Sequence, residues 1–230
     1  MPFECEGLVS KLKRLVPEEY AGVRFYGGSS ADRKVVLAVS GIGKANVAHG
    51  TTLLIERYHP TCLIHIGIGG CYPDTGIGVG DIAVAEKEIY ADEGVVGRTG
   101  FRDLREIGLP LYRDGRRKFF NEFPASAPLL RHFRKVAARS VHSVSYGTFL
   151  TVSTVTGTLR KARELRDSFG GICESMEGAA VYHMCAIHAV PCLEIRGISN
   201  VVEDRDRSSW DLESAAKAAQ RIAWEFAETL

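Results

Sequence analysis

Strand-length apolar runs alternate along the chain with helical stretches, a pattern that predicts an α/β layer fold with a mostly parallel or mixed sheet. Two further observations sharpen the expectation. The 230 residues suffice for one well-covered core and are short for two, so residues 1–230 read as a single domain. Glycines, 24 in all, cluster beside the strand-like runs, where open α/β sheets bind their ligands.

The elements follow in order. Residues 35–40 (VVLAVS) read as a strand and 44–58 as a helix. Residues 62–67 (CLIHIG) and 81–86 (DIAVAE) are two further buried strands, and 143–153 (SVSYGTFLTVS) alternates like another. Residues 158–169 read as a helix with one polar face, and 177–188 as a more buried one. A strand at 191–199 (PCLEIRGIS) precedes a closing amphipathic helix over 211–229, with Asp211 as its N-cap. The least regular stretch is 90–128. A loop of that length in a compact domain is usually functional or an interface.

Lys plus Arg number 29 and Asp plus Glu 28, a formal net charge of +1, which argues against binding nucleic acid or an anionic membrane through bulk charge. No apolar run reaches the ~18 residues that a transmembrane helix needs, and the N-terminal residues lack the pattern of a signal peptide, so a cytoplasmic protein is expected. The six cysteines form no C-x-x-C pair and read as reduced thiols, four of them within apolar segments. The histidines show no metal-ligand spacing, and neither a metal nor a cofactor is expected.

Glycine turns mark the ends of strands. Gly41 and Gly43 follow the first strand, and Gly67, Gly69 and Gly70 the second. Gly43-Lys44 is followed by Ala45, which excludes a P-loop, and no G-x-G-x-x-G leads to an acidic residue ~20 positions on, which argues against a dinucleotide site.

Four segments together go beyond fold: SGIGKANVAH (40–49), HIGIGG (65–70), ESMEGAAV (174–181) and EIRGISNVVEDRDRSSWDL (194–212). In this order they resemble the nucleoside phosphorylase and nucleosidase superfamily over nearly the whole chain. The last segment, with TVSTVTGT (151–158), is most similar to futalosine hydrolases, which release hypoxanthine from futalosine in an alternative menaquinone pathway. The resemblance implies a three-layer, nucleoside phosphorylase-like fold with a central mixed sheet, its first strand shortened. It also implies a small nucleoside substrate and a homodimer or larger homo-oligomer.

Chemistry and resemblance together assign the site. Breaking an N-ribosidic bond passes through an oxocarbenium-like sugar, so the site needs a carboxylate for the ribose hydroxyls, a base for water and a donor to the leaving purine. Glu177, at a helix start, matches the family's ribose ligand, with Met176 against the sugar face. Asn200 follows a strand and stands where relatives acting on 6-aminopurines usually carry Asp. Its amide both donates and accepts, which suits N7 and the 6-oxo oxygen of hypoxanthine, with Ser199 holding the side chain or the turn. The base matches Glu6 best, with Glu4 as the alternative. Val155, Thr156 and Gly157 fall on the purine-binding segment, which here lacks its usual aromatic. Phe149 is a replacement unless it is simply core.

The resemblance also separates hydrolysis from phosphorolysis. Phosphorylases of the superfamily carry Arg and Ser where this chain has His65 and Ile68, so water is the expected nucleophile. Arg205, Arg207 and Trp210 are candidates for a carboxylate on the substrate's 5′ arm. A solvated loop ahead of Asp211 accounts for the same residues. Arg196 either supports the site or pairs with Glu194. A methylthioadenosine or adenosylhomocysteine nucleosidase and an inactive nucleoside-binding protein of the same fold are the alternatives.

Overall fold

The computed structural model describes residues 2–30, 33–98 and 100–230, which build two main sheets. A 3-10 turn (Pro2–Glu4) and one turn of α-helix, α1 (Glu6–Val9), lead into an antiparallel sheet of β1 (Lys13–Tyr20), β2 (Val23–Ser30) and β3 (Arg33–Val39). Helix α2 (Lys44–Tyr58) then leads to β4 (Leu63–Cys71) and β5 (Ile82–Tyr90). Two small hairpins follow, β6 (Gly94–Gly97) with β7 (Gly100–Asp103) and β8 (Tyr112–Asp114) with β9 (Arg117–Phe119), then β10 (Glu122–Pro124). The remainder alternates: α3 (Ala127–Ala137), β11 (Val144–Thr151), α4 (Leu159–Phe169), β12 (Gly171–Ser175), α5 (Gly178–Ile187), β13 (Cys192–Val201) and α6 (Leu212–Ala227).

The larger sheet is mixed, in the order β10-β5-β11-β12-β4-β13. Strand β13 also pairs back onto β5, so that β5, β11, β12, β4 and β13 close into a ring. Helices α2 and α5 cover one face through Val47, Ile55, Val181 and Tyr182, packed on Phe149 and Ile198. Helices α3 and α6 cover the other through Phe133, Ile222 and Phe226, packed on Val84, Leu193 and Ile195. This is the expected layering. Among the described residues no helix is long and apolar enough to cross a membrane.

Helix α2 spans the predicted 44–58, and the later helices begin where their caps stand: Thr158 accepts from Lys161 N at 3.3 Å and Asp211 from Ser214 N at 3.0 Å. The stretch 90–128, irregular by sequence, contains the two small hairpins and β10. Strands β1, β2 and β12 and helices α1 and α3 were not anticipated. Strand β1 (KRLVPEEY) is almost wholly exposed and carries a proline, which suits an edge strand with no apolar alternation to betray it.

The N-terminal residues take a definite form. Residues 2–12 coil as helical turns, and among the described residues no strand precedes Lys13. Among the described residues, strand β3 pairs on one side only, with β2, and residues 63–69 of β4 pair on one side only, with β13.

Candidate active site

Strands β4 and β13 run parallel, with Gly67 opposite Arg196 and Gly70 opposite Asn200. Strand β12 ends beside them and turns at Met176 and Glu177 into α5, so three segments distant in sequence meet at one rim of the ring.

Arg196 is the junction. Its side chain is 3% exposed, and each of its nitrogens has a partner. Nε donates to Glu194 Oε1 at 2.7 Å and Nη1 to the Ile68 carbonyl at 3.0 Å. Nη2 donates to His65 Nε2 at 2.6 Å and lies 3.4 Å from Glu177 Oε2. Burial works against the charged guanidinium, but Glu194 and Glu177 outweigh it and keep Arg196 cationic. Burial first, and then the Arg196 charge, push His65 well below its ordinary value. The imidazole is therefore neutral, with Nε2 as acceptor. Sequence left Arg196 between pairing with Glu194 and supporting the site; the side chain pairs with Glu194 and also reaches Glu177. Only Gly67 fits beneath it, since a Cβ there would stand 2.3 Å from Arg196 Nη1.

Glu177 is the N-cap residue of α5 and half-buried. Its Oε1 accepts from Gly43 N at 2.9 Å, which ties the glycine turn after β3 to this rim, and its Oε2 accepts from Met176 N at 3.2 Å. Both oxygens sit among N–H donors and beside a guanidinium, an arrangement that holds a carboxylate oriented. Gly41 lies two residues earlier in the same turn.

The two N-terminal carboxylates part company. Glu4 Oε1 accepts from Ile68 N at 2.9 Å, so Glu4 joins the junction. Glu6 does not. It is exposed at the start of α1, on a groove formed with α6 and lined by Leu8, Lys11, Leu212 and Lys217. The cause is local: an extended strand would send both side chains to one face, whereas the helical turns here aim residues two apart in different directions.

Asn200 is half-buried at the end of β13. Ser199 Oγ lies 2.8 Å from Asn200 Oδ1 and 3.2 Å from the Gly69 carbonyl, and its single proton goes to the nearer amide oxygen. Asn200 Nδ2 donates to the Val201 carbonyl at 3.0 Å and packs over Gly70. The amide is thus oriented with its nitrogen as donor.

Val155 and Gly157 are exposed, whereas Thr156 is pinned. Its N–H and hydroxyl both donate to Glu174, at 2.9 and 2.5 Å, and the buried Tyr72 hydroxyl donates to the same carboxylate at 2.8 Å. Sequence reasoning missed Glu174 as an anchor of this loop; its place in ESMEGAAV, three residues before Glu177, was the available signal. Phe149 is fully buried in the core and stacks on no site. Arg205 and Arg207 are exposed, with guanidinium carbons 5.5 and 5.9 Å from the Trp210 ring centre. Asp211 N donates to the Ser199 carbonyl at 2.9 Å and moors the end of that loop beside Asn200.

Residues 1–228 match the family described as the Phosphorylase superfamily, and the chain belongs to it. A curated relative from Staphylococcus saprophyticus, a 5′-methylthioadenosine/S-adenosylhomocysteine nucleosidase, is 29% identical over 237 residues, covering 100% of this chain and 97% of the relative. Among solved structures, the nucleosidase of that name from Neisseria meningitidis, in complex with methylthio-immucillin-A, superposes with a TM-score of 0.87 at 23% identity, covering 100% and 96% of the two chains. The Colwellia psychrerythraea nucleosidase in complex with adenine gives 0.83 at 25% identity, covering 98% and 90%.

Proposed function

We propose that this chain hydrolyses the N-ribosidic bond of a 6-oxopurine nucleoside, with futalosine as the leading substrate and hypoxanthine and dehypoxanthine futalosine as products. The observation that carries the reading is the Arg196 junction, where Glu4 and Glu177 meet on either side of Ile68 and one guanidinium. Glu177 accepts the ribose hydroxyls and faces the positive charge that grows on the sugar as the bond opens. Glu4 takes a proton from the attacking water. The second N–H of Asn200 Nδ2 donates to the purine as negative charge builds on it.

Water is favoured over phosphate because the guanidinium has no fork to offer an anion: its nitrogens are engaged by Glu194, Ile68, His65 and Glu177. Ile68 contributes only backbone, and neutral His65 is itself an acceptor towards Arg196. At the rim, Arg205 and Arg207 against Trp210 suit a carboxylate on the 5′ arm. A homodimer or larger homo-oligomer belongs to the same reading, and sedentation-based mass is its check: sedimentation of a monomer would remove it.

A second reading, a methylthioadenosine/adenosylhomocysteine nucleosidase, draws support from the names of the relatives. Asn200 and the RDRSSWD segment favour futalosine instead. Base release from futalosine, inosine and methylthioadenosine, with and without phosphate, separates the two. Phosphate-independent hypoxanthine release, fastest from futalosine, is expected. Adenine released from methylthioadenosine alone would replace the first reading by the second, and nucleoside binding without base release would leave a binding protein of this fold.

A further inference from the structure

Two carboxyl groups beneath the site have no role in the chemistry above. Glu88 on β5 and Glu194 on β13 are both 0% exposed. Glu88 Oε2 accepts from the Thr151 hydroxyl at 2.7 Å, and that hydroxyl in turn accepts from Ala179 N at 2.8 Å. Glu194 Oε1 accepts from Arg196 Nε at 2.7 Å. The remaining oxygens, Glu88 Oε1 and Glu194 Oε2, are buried and have no other donor. They converge on one point: a Cβ built on Gly178, at the start of α5, would stand 2.0 Å from the first and 2.3 Å from the second.

Two buried carboxylate oxygens in such proximity repel and leave two acceptors unsatisfied, whereas one proton between them makes a charge-assisted O–H···O⁻ bond. The surroundings say which group holds it. Glu194 faces the guanidinium and carries the negative charge that pairs with it. Burial, and then the Glu194 charge, push Glu88 well above the usual carboxylate range.

We propose that a single proton, held on Glu88 Oε1 and donated to Glu194 Oε2, positions Arg196 and through it Glu177 and the Ile68 carbonyl. Glu88 is a positioning residue in this scheme. Were both carboxyls ionised, the guanidinium would be drawn towards the doubly charged pair and away from Glu177. Only the activity arm of the test below rests on the nucleosidase reading.

Glu88→Gln reproduces the protonated state, since its amide oxygen accepts from Thr151 and its NH₂ donates to Glu194. Glu88→Leu keeps the volume and removes the donor. Expected kcat/KM is within about twofold of wild type for Glu88→Gln and at least about tenfold lower for Glu88→Leu. A second arm needs no substrate. The native state binds a proton that the unfolded chain has lost above about pH 4.3, so wild-type stability falls as pH rises from there towards the raised native value.

The groups facing Glu88 do not mask this. Tyr72, Tyr90, Tyr182, Cys173 and Cys192 are all pushed upward by burial or neighbouring thiols, His65 is pushed down, and Arg196 stays charged. The melting temperature of Glu88→Gln relative to wild type is therefore expected to climb by about 3 °C per pH unit across that interval. The infrared carbonyl band of a protonated carboxyl, present in wild type at neutral pH, is expected to vanish in Glu88→Gln. Equal pH slopes with no acid band, or loss of activity in Glu88→Gln matching Glu88→Leu, would overturn the proposal. Should Glu88→Leu fail to fold, the slope and the band still decide. A wild type that cleaves no nucleoside, yet shows both signatures, would overturn the functional reading and leave the shared proton standing.

Discussion

The Arg196 junction and the loop at 203–210 both display arginines beside the proposed site, yet they are built on opposite principles. At the junction the guanidinium is buried and every nitrogen has a partner on β4, β13 or the start of α5. On the loop, Arg205 and Arg207 are exposed and stand over the Trp210 ring, and the loop is moored where Asp211 meets Ser199 and where Asp204 accepts from Leu159 N. Rigid, saturated charge suits the bond-breaking step, where groups must already be in place as charge develops. Exposed guanidinia over an aromatic suit substrate choice, because they can turn to a ligand at little cost. The contrast teaches that charge near a site says little by itself; what matters is whether its hydrogen bonds are already taken.

Substitutions on each side can break or sharpen this contrast. Arg196→Met should have the largest effect, since it strands Glu194 and Glu177 without their cation. A loss of about 3–5 kcal/mol in urea unfolding is expected, with collapse of turnover. A change below about 1 kcal/mol would show that the junction is not the structural hub described. Gly178→Ala should come next, because its methyl would enter the space between Glu88 and Glu194. Overpacking of that kind costs about 1–3 kcal/mol, read from the same unfolding curves. On the loop, Arg205→Ala and Arg207→Ala should leave stability within about 0.5 kcal/mol. At least one should raise KM for futalosine about tenfold, equivalent to about 1.4 kcal/mol, and leave inosine cleavage unchanged. An equal effect on both substrates would remove these arginines from the 5′ arm.

The same contrast explains what was legible in the sequence. Four of the five ring strands announced themselves as apolar runs, CLEIRGIS buried along its whole length and CLIHIG half-buried, while β12 did not, and helix starts were marked by Thr158, Glu177 and Asp211. Glu177, Ser199 and Asn200 stood in segments whose order carries meaning, and they meet at one rim. Strand β1 was hidden because its pairing is by backbone while its side chains face water. The choice of Glu4 over Glu6 turned on whether the N-terminal residues run as strand or helix, which residue types alone did not disclose. Glu88 gave no sign, since its partner Glu194 lies far along the chain and is reached only when β13 closes the ring onto β5.

The central claim is that water is activated at the junction, by Glu4 rather than Glu6. Its most direct test is the rate of hypoxanthine release from futalosine by wild type, Glu4→Gln and Glu6→Gln, each with and without phosphate. The account predicts release that ignores phosphate, falls about 10²–10⁴-fold in Glu4→Gln and stays within about twofold in Glu6→Gln. Loss of turnover in Glu6→Gln with Glu4→Gln unaffected would contradict it.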